Sequence, residues 1–336
     1  MSERTRLRRS AAALLVAAVT TGSALLLTAC DPEGGDTGTT SPSSAANSPA
    51  ADTPSSSSGG SAGSSAPAAG GKLNKTAGTK LTVSTGTNTV LMDGKAVDFG
   101  TVVRDLAWSP DGKHAAFIDG SGNLQTSDPD GGHKTVIAKA PSGETWSHPT
   151  WQVYGPDEPH GAGTYLLFTA DDKKALKLLS VEAKAGAKPE PLHVGDSEAE
   201  KPLPEAGNLW PNSAGKFGMT VYANKTDGQV YFHDVISRTN GGVITKGSQP
   251  ALADDGEVVF VRSVSGHAHI FAKAKEEGAK EVDLTPDASV DYTEPAISHD
   301  GKSVAFRGPD GIYTVPVKGG KPDKITDTVG LPAYRS

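Results

Sequence analysis

The chain has 336 residues, of which 36% are hydrophobic and 6% aromatic, and it carries a formal net charge of −7 at pH 7. An acidic surface argues against binding to nucleic acid and against electrostatic adhesion to anionic lipid. The single cysteine excludes an intrachain disulfide, so the folded part must be stabilised by its core and its ladder hydrogen bonds.

Residues 1–29 have the pattern of an export signal, with four arginines before residue 10 and an apolar stretch over residues 11–29. The stretch ends in Leu27-Thr28-Ala29-Cys30, which resembles the lipobox of bacterial lipoproteins, where the cysteine thiol receives a diacylglycerol before cleavage. The resemblance implies lipidation at Cys30, traceable with palmitate, and a location on the outer face of the cytoplasmic membrane. An uncleaved membrane anchor with an incidental cysteine is the alternative, and the export route, Sec or Tat, stays open.

Residues 30–78 consist mainly of Ser, Ala, Gly, Thr and Pro and contain no aromatic residue. Such a segment cannot bury enough apolar surface to offset the entropy cost of ordering. The composition therefore predicts a disordered tether between the anchor and a folded domain over residues 79–336.

Six times within residues 79–336 a short segment recurs that is typical of the innermost strand of a β-propeller blade. Most intervals between copies lie near the ~40–50 residues of a four-stranded blade. After Trp108, Pro110-Asp111-Gly112 supplies turn chemistry, and short strands separated by Gly and Asp turns follow. The pattern predicts an all-β fold. Our alignment of the copies equates Ala107, Thr150, Leu209, Ala251, Ala296 and Ala333.

The two ends of the repeat region complete each other. Residues 80–84, 88–92 and 95–98 predict three strands without an inner one, whereas residues 332–336 predict an inner strand alone. Pairing these strands closes a six-bladed ring and leaves no open sheet edge between the first blade and the last.

Three tryptophans, Trp108, Trp151 and Trp210, fall at one repeat position in this alignment. We interpret them as side chains that pack between neighbouring blades. A stacking platform for a sugar or a peptide is the alternative.

Two copies carry a family resemblance. Trp108-Ser109-Pro110-Asp111-Gly112-Lys113 followed by Ala116-Phe117, and Ser298-His299-Asp300-Gly301-Lys302 followed by Ala305-Phe306, resemble TolB-type propeller repeats. The resemblance covers residues 79–336. It implies a six-bladed propeller in the cell envelope that binds other proteins.

In this architecture the loops that lead from an outer strand into the next inner strand meet at one mouth of the central channel. A ring of charged, amide and aromatic groups there could bind a peptide terminus or a sugar, and a solvated rim without a ligand is the alternative. The candidate binding residues are Arg104, Asp105, Trp146, His148, Asn208, Gln249, Thr293 and Glu294.

The sequence predicts no metal and no cofactor. His267 and His269 share a strand face but lack a third zinc ligand nearby, and Asp128-Pro129-Asp130-Gly131 lacks the glycine and distal glutamate of a calcium loop. We therefore expect a monomeric, non-enzymatic binding module whose partners are the membrane, through Cys30, and an envelope protein or peptide. A hydrolase or lyase that uses channel His and carboxylate groups, and a small-ligand sensor, are the alternatives.

Overall fold

The computed structural model describes residues 72–156, 162–194, 202–214, 219–234, 241–274, 276 and 278–336. The predicted signal peptide, Cys30 and tether residues 30–71 lie outside this part of the chain. All regular elements of the described residues are β-strands, so the predicted all-β fold is confirmed. No helix in these ranges has the length and apolar character needed to span a bilayer.

Within these described ranges, twenty-four strands form six antiparallel four-stranded sheets, which are the blades of a propeller. Blade 1 contains β1 (Leu81–Ser84), β2 (Thr89–Met92), β3 (Lys95–Asp98) and β24 (Leu331–Tyr334). Blade 2 contains β4 (Arg104–Trp108), β5 (Ala115–Ile118), β6 (Leu124–Ser127) and β7 (Thr135–Ala138). Blade 3 contains β8 (Thr145–Tyr154), β9 (Gly163–Asp171), β10 (Leu176–Glu182) and β11 (Glu190–Pro191).

The second half of the ring has the same order. Blade 4 contains β12 (Asn208–Ser213), β13 (Met219–Asn224), β14 (Gln229–Asp234) and β15 (Gly241–Lys246). Blade 5 contains β16 (Ser248–Leu252), β17 (Val258–Val264), β18 (His267–Lys273) and β19 (Glu281–Asp283). Blade 6 contains β20 (Thr293–Ile297), β21 (Ser303–Gly308), β22 (Gly311–Pro316) and β23 (Asp323–Thr326).

The ring is closed by its two ends, as the sequence predicts. β24 pairs with β1 over four residues, from Leu81 opposite Tyr334 to Ser84 opposite Leu331. Each inner strand also contacts the inner strand of both neighbouring blades, in the cyclic order β4, β8, β12, β16, β20, β24 and back to β4. These six strands therefore surround one central channel.

The core lies between the blades. Each apolar cluster of the described residues joins two consecutive blades; one unites blade 2 with blade 3, another blade 6 with blade 1. The second strand of every blade contributes one fully buried side chain at the same register, and in five blades this residue is aromatic. The set is Val83, Phe117, Phe168, Tyr222, Phe260 and Phe306.

This register corrects the alignment of the fourth blade. Asn212 opposes Val221 just as Ala107 opposes Ala116, so Asn212, and not Leu209, is the equivalent of Ala107. Trp210 consequently does not share the position of Trp108 and Trp151. The packing role holds for those two: both are buried, and their indole N–H groups reach the preceding blade, at Thr82 Oγ1 (2.9 Å) and the Ala107 carbonyl (3.2 Å).

Residues 73–75, which precede the predicted domain boundary at residue 79, contact the propeller. Asn74 forms a β-bridge with Thr326, the backbone N–H of Leu73 donates to Asp327, and the Lys75 ammonium lies 3.0 Å from Asp323. Residues 73–75 thus run along the outer edge of β23. The segment links blade 6 to blade 1 a second time, because β1 follows directly.

Tyr222→Phe should stabilise the protein. The Tyr222 hydroxyl is buried without a hydrogen-bond partner, whereas the equivalent residue of blades 2, 3, 5 and 6 is phenylalanine. An unsatisfied buried hydroxyl costs about 1–3 kcal/mol, so its removal should raise the free energy of unfolding, measured by urea denaturation, by an amount within that range.

Tyr231 is the matched control. Its ring stacks on Tyr222 with centroids 5.5 Å apart, but its hydroxyl donates to Asp227 over 2.6 Å. Tyr231→Phe should therefore lower stability. If Tyr222→Phe lowered the free energy of unfolding by the same amount as Tyr231→Phe, the Tyr222 hydroxyl would not be an unsatisfied buried group.

Candidate functional site

Five of the six inner strands share one irregularity close to their first residue. In each, a β-bulge interrupts the pairing with the second strand, and one non-glycine residue within the bulge has φ between 51° and 58°. A bulge re-aims the side chain that it carries. The five residues are Asp105, His148, Trp210, Gln249 and Glu294.

A proline accompanies most of the bulges. In four of the five strands the left-handed residue is followed by a buried proline: Pro149, Pro211, Pro250 and Pro295. Proline has no N–H to give to the ladder and is found at bulges and on edge strands, so it is compatible with the irregular pairing at that point. In blade 2 the buried Leu106 takes the place of the proline. β24 carries Pro332 but pairs regularly, so blade 1 contributes Leu331 without a bulge.

The bulges surround one mouth of the channel, which encloses a cavity of about 150 Å³. Asp105, His148, Trp210, Glu294 and Leu331 all line it. At the other end of the inner strands it is lined by Asp254 and His299, whose Oδ2 and Nδ1 atoms lie 3.5 Å apart, and by Pro110.

Two of the five left-handed residues hold the backbone of the next blade through their side chains. Asp105 Oδ2 accepts the N–H of His148 over 3.0 Å, and Gln249 Oε1 accepts the N–H of Glu294 over 2.6 Å. The N–H of Trp210 donates instead to Thr169 Oγ1 over 2.9 Å. These bonds fix the left-handed residues, whose strained backbone costs of order 1–3 kcal/mol each.

His148 lies between a carboxylate and an aromatic ring. Its Nδ1 is 3.8 Å from Asp105 Oδ2, and its ring centroid is 4.2 Å from that of Trp210. Burial lowers the pKa of His148 below its ordinary value, and the charge of Asp105 offsets this only in part. The imidazole is therefore neutral at pH 7, available as a hydrogen-bonding group and as one face of an aromatic surface.

Glu294 is the second carboxylate of the mouth. Burial raises its pKa, the Arg307 guanidinium (Nη1–Oε2 2.9 Å) lowers it, and the negative charge of Asp105 raises it further. The net effect is a raised pKa, which the Arg307 guanidinium opposes by favouring the charged form.

Four of the predicted site residues are among the five left-handed residues of the bulges: Asp105, His148, Gln249 and Glu294. Thr293 precedes Glu294 in β20. Gln249 and Thr293 do not line the channel cavity, and neither do the other three predicted side chains.

Arg104 is exposed and donates to the Asp119 carbonyl. Trp146 is buried against Phe168, with ring centroids 4.7 Å apart. Asn208 is buried and bonds to the Pro204 carbonyl and to Asn224.

Trp210 is the ring residue that the alignment assigned to packing. It is half-buried and contacts His148 at the mouth. The signal that identifies it is the repeated X-Pro step, since each of the residues His148, Trp210, Gln249 and Glu294 directly precedes a proline.

Metal ligation has no structural support within the described ranges, which hold no group of three or more His, Cys, Asp or Glu side chains arranged to bind an ion. His269 Nδ1 lies 2.9 Å from Asp283 Oδ2, and His267 Nδ1 lies 3.8 Å from Asp291 Oδ1. Each histidine of this strand therefore has its own carboxylate partner.

No protein-family model and no curated protein matches the chain. Among solved structures it is similar to TolB from Acinetobacter baumannii, with a TM-score of 0.53 and 16% identity over 76% of this chain, and it spans 66% of that protein. It is also similar to a putative TolB from Agrobacterium tumefaciens (TM-score 0.51, 16% identity, 74% of this chain and 88% of that one). A chain of a nidogen/laminin complex gives a TM-score of 0.52 at 12% identity, covering 76% of this chain and 97% of that one. The fold is thus that of a TolB-like propeller.

His148→Asn should flatten the dependence of stability on pH. Because the pKa of His148 is lowered from 6.5 in the folded protein, the unfolded chain binds its proton first, and the free energy of unfolding falls as pH drops below about 6.5. Asparagine tolerates positive φ and removes this loss. Urea denaturation at about pH 7 and pH 5.5 should show a smaller drop for the variant than for the wild type.

His133 provides a control of opposite sign. Asp128 raises the pKa of this exposed histidine, so the wild type gains stability as pH falls through the raised value. His133→Asn removes that gain and should steepen the drop. An equal decrease in the free energy of unfolding for the wild type and for His148→Asn would contradict a lowered pKa of His148.

Proposed function

We propose that this TolB-like propeller is a lipid-anchored, extracytoplasmic binding module whose channel mouth holds a peptide segment of another envelope protein, without catalysis. The observation that carries the proposal is the ring of five left-handed residues. Backbone strain of this kind persists only where the surrounding structure maintains it, and such strain clusters at binding and catalytic sites. Here it recurs in five blades, and four of the five residues, Asp105, His148, Trp210 and Glu294, line one opening.

The size of the cavity supports a peptide as the ligand. Sites for drug-sized molecules occupy roughly 300–1,000 Å³. A cavity of about 150 Å³ suits one inserted side chain or a chain terminus, with the rest of the ligand on the rim. The half-buried Trp210 offers that ligand an apolar face with a polar edge, as in many protein interfaces.

The route of the chain supports a tethered mode of action. Leu73 bonds to Asp327, which lies in the connection from β23 to β24, at the end of the blades that carries the mouth. Leu73 therefore lies on the mouth side of the propeller. A tether that extends from Cys30 would leave the mouth accessible to partners at the membrane surface.

The second candidate is a lyase or hydrolase reaction at the same mouth. His148 beside Asp105, with its lowered pKa, and Glu294, with its raised pKa, are perturbed groups of the kind that serve as general bases and acids. Turnover of any substrate that is lost in His148→Asn and in Glu294→Gln would favour this candidate over a non-enzymatic module.

Cys30→Ser should abolish the incorporation of radiolabelled palmitate. The thiol of Cys30 is the only one in the chain, so serine leaves no acceptor. The variant should also move from the membrane fraction to the soluble fraction of cells. Label retained by Cys30→Ser would contradict lipidation at this residue.

A photo-crosslinking residue, p-benzoylphenylalanine, should trap the partner when it replaces Trp210. The same residue at Val282, 44% exposed on the outer strand of blade 5, serves as the control. We expect a discrete crosslinked protein in intact cells from position 210 and none from position 282. Mass spectrometry then identifies the crosslinked segment.

A synthetic peptide of that segment should bind the full chain in detergent, and Trp210→Ala should weaken binding at least tenfold, as measured by calorimetry. Identical crosslinking from positions 210 and 282, or a peptide affinity that Trp210→Ala leaves unchanged, would contradict binding at the mouth.

A further inference from the structure

The channel lining has one sign of charge. Among the described residues that line the cavity are three carboxylates, Asp105, Glu294 and Asp254, and neither lysine nor arginine. The two lining histidines are His148, which is neutral at pH 7, and His299, which lies beside Asp254. A narrow cleft that is lined by charges of one sign focuses the electric field and raises the local concentration of groups of opposite charge.

The negative charge at the mouth is only partly compensated. Arg307 pairs with Glu294 from outside the cavity lining and is 41% exposed. Asp105 has no lysine or arginine within ion-pair distance among the described residues; it accepts the His148 N–H and faces a neutral imidazole. Asp105 and Glu294 repel each other, as the effect of Asp105 on the pKa of Glu294 indicates.

The two carboxylates flank the one sector of the mouth that has no bulge. In the order of the blades, Leu331 of β24 lies between Glu294 of β20 and Asp105 of β4. Leu331 contributes an apolar side chain to the lining, so this sector can pack the hydrocarbon part of a ligand group. The two neighbouring blades supply the negative charge, through Glu294 on one side and Asp105 on the other.

Trp210 lies three blades away from Leu331 around the ring. Its half-buried indole forms the opposite wall of the mouth and contacts His148. An aromatic face across a narrow opening attracts a cation as well as apolar groups. The aromatic wall is independent of the carboxylates and favours the same ligand.

We infer that the mouth recognises a basic side chain, lysine or arginine, carried by the bound peptide. Its hydrocarbon stem lies along Leu331, and its cationic head lies between Asp105 and Glu294, facing Trp210. Long basic side chains combine an apolar stem with a charged head in this manner. The inference rests on the proposed function and specifies the ligand group of the same site.

The test uses three tripeptide probes, N-acetyl-Gly-Lys-Gly-amide, N-acetyl-Gly-Arg-Gly-amide and the neutral N-acetyl-Gly-norleucine-Gly-amide. The full chain in detergent is titrated with each at pH 7, and the indole resonances are followed by NMR. We expect the basic probes to shift the Trp210 indole signal and to bind at least tenfold more tightly than the norleucine probe. Added salt should weaken their binding.

Asp105→Asn and Glu294→Gln keep an acceptor oxygen but remove one charge, and each should weaken the basic probes about tenfold. Asp93→Asn is the matched control: it removes the same charge from an exposed hairpin that does not line the channel. The control should bind like the wild type.

Two titration results would overturn the inference: equal affinity for the norleucine probe, or equal weakening by Asp93→Asn and Asp105→Asn. In both cases the proposed function stands if Trp210 still crosslinks a discrete partner, so the two failures are distinguishable. A crosslinked segment that contains no lysine or arginine would overturn the inference alone.

Discussion

Closure of the ring by the two ends of the repeat region is the constraint on which the rest of the structure depends. One hydroxyl joins three strands at the closure: Thr82 Oγ1 donates to the Ala333 carbonyl of β24 and accepts the indole N–H of Trp108 in blade 2. The bridge of residues 73–75 to β23 adds a second link between blades 6 and 1. Because the apolar clusters lie between blades, each blade needs two neighbours to bury its faces, and only a closed ring gives every blade both.

Closure also determines the candidate site. The five bulged residues come from strands far apart in the sequence, and the cyclic order of the inner strands brings them to one opening. Hydrogen bonds between consecutive ring residues, from His148 to Asp105 and from Glu294 to Gln249, then join the site to the scaffold. The blade that closes the ring is the one that has no bulge. The sector of the mouth without a left-handed residue is therefore the sector where the two ends of the repeat region pair.

The local sequence was sufficient to predict features that depend on turn residues and strand periodicity. The strand β3, which follows an Asp-Gly turn, was predictable to the residue, and the complementary ends of the repeat region predicted the pairing of β24 with β1. Chain register was not predictable in the same way. The alignment equated Leu209 with Ala107 because a tryptophan follows each of them, whereas the ladder pairs Asn212 with Val221 as it pairs Ala107 with Ala116.

The amino-acid sequence by itself determined the all-β class, the six repeats, the closure, and four of the five ring residues, because each of these follows from periodicity and from the turn that precedes a strand. Tertiary structure alone decided which side chains face the channel. Trp146 and Asn208 were candidates by position along the chain, yet both are buried and do not line the channel cavity, whereas Trp210 lines it. The physical reason is that successive side chains of a strand point to opposite faces, so one bulged residue reverses the assignment of its neighbours.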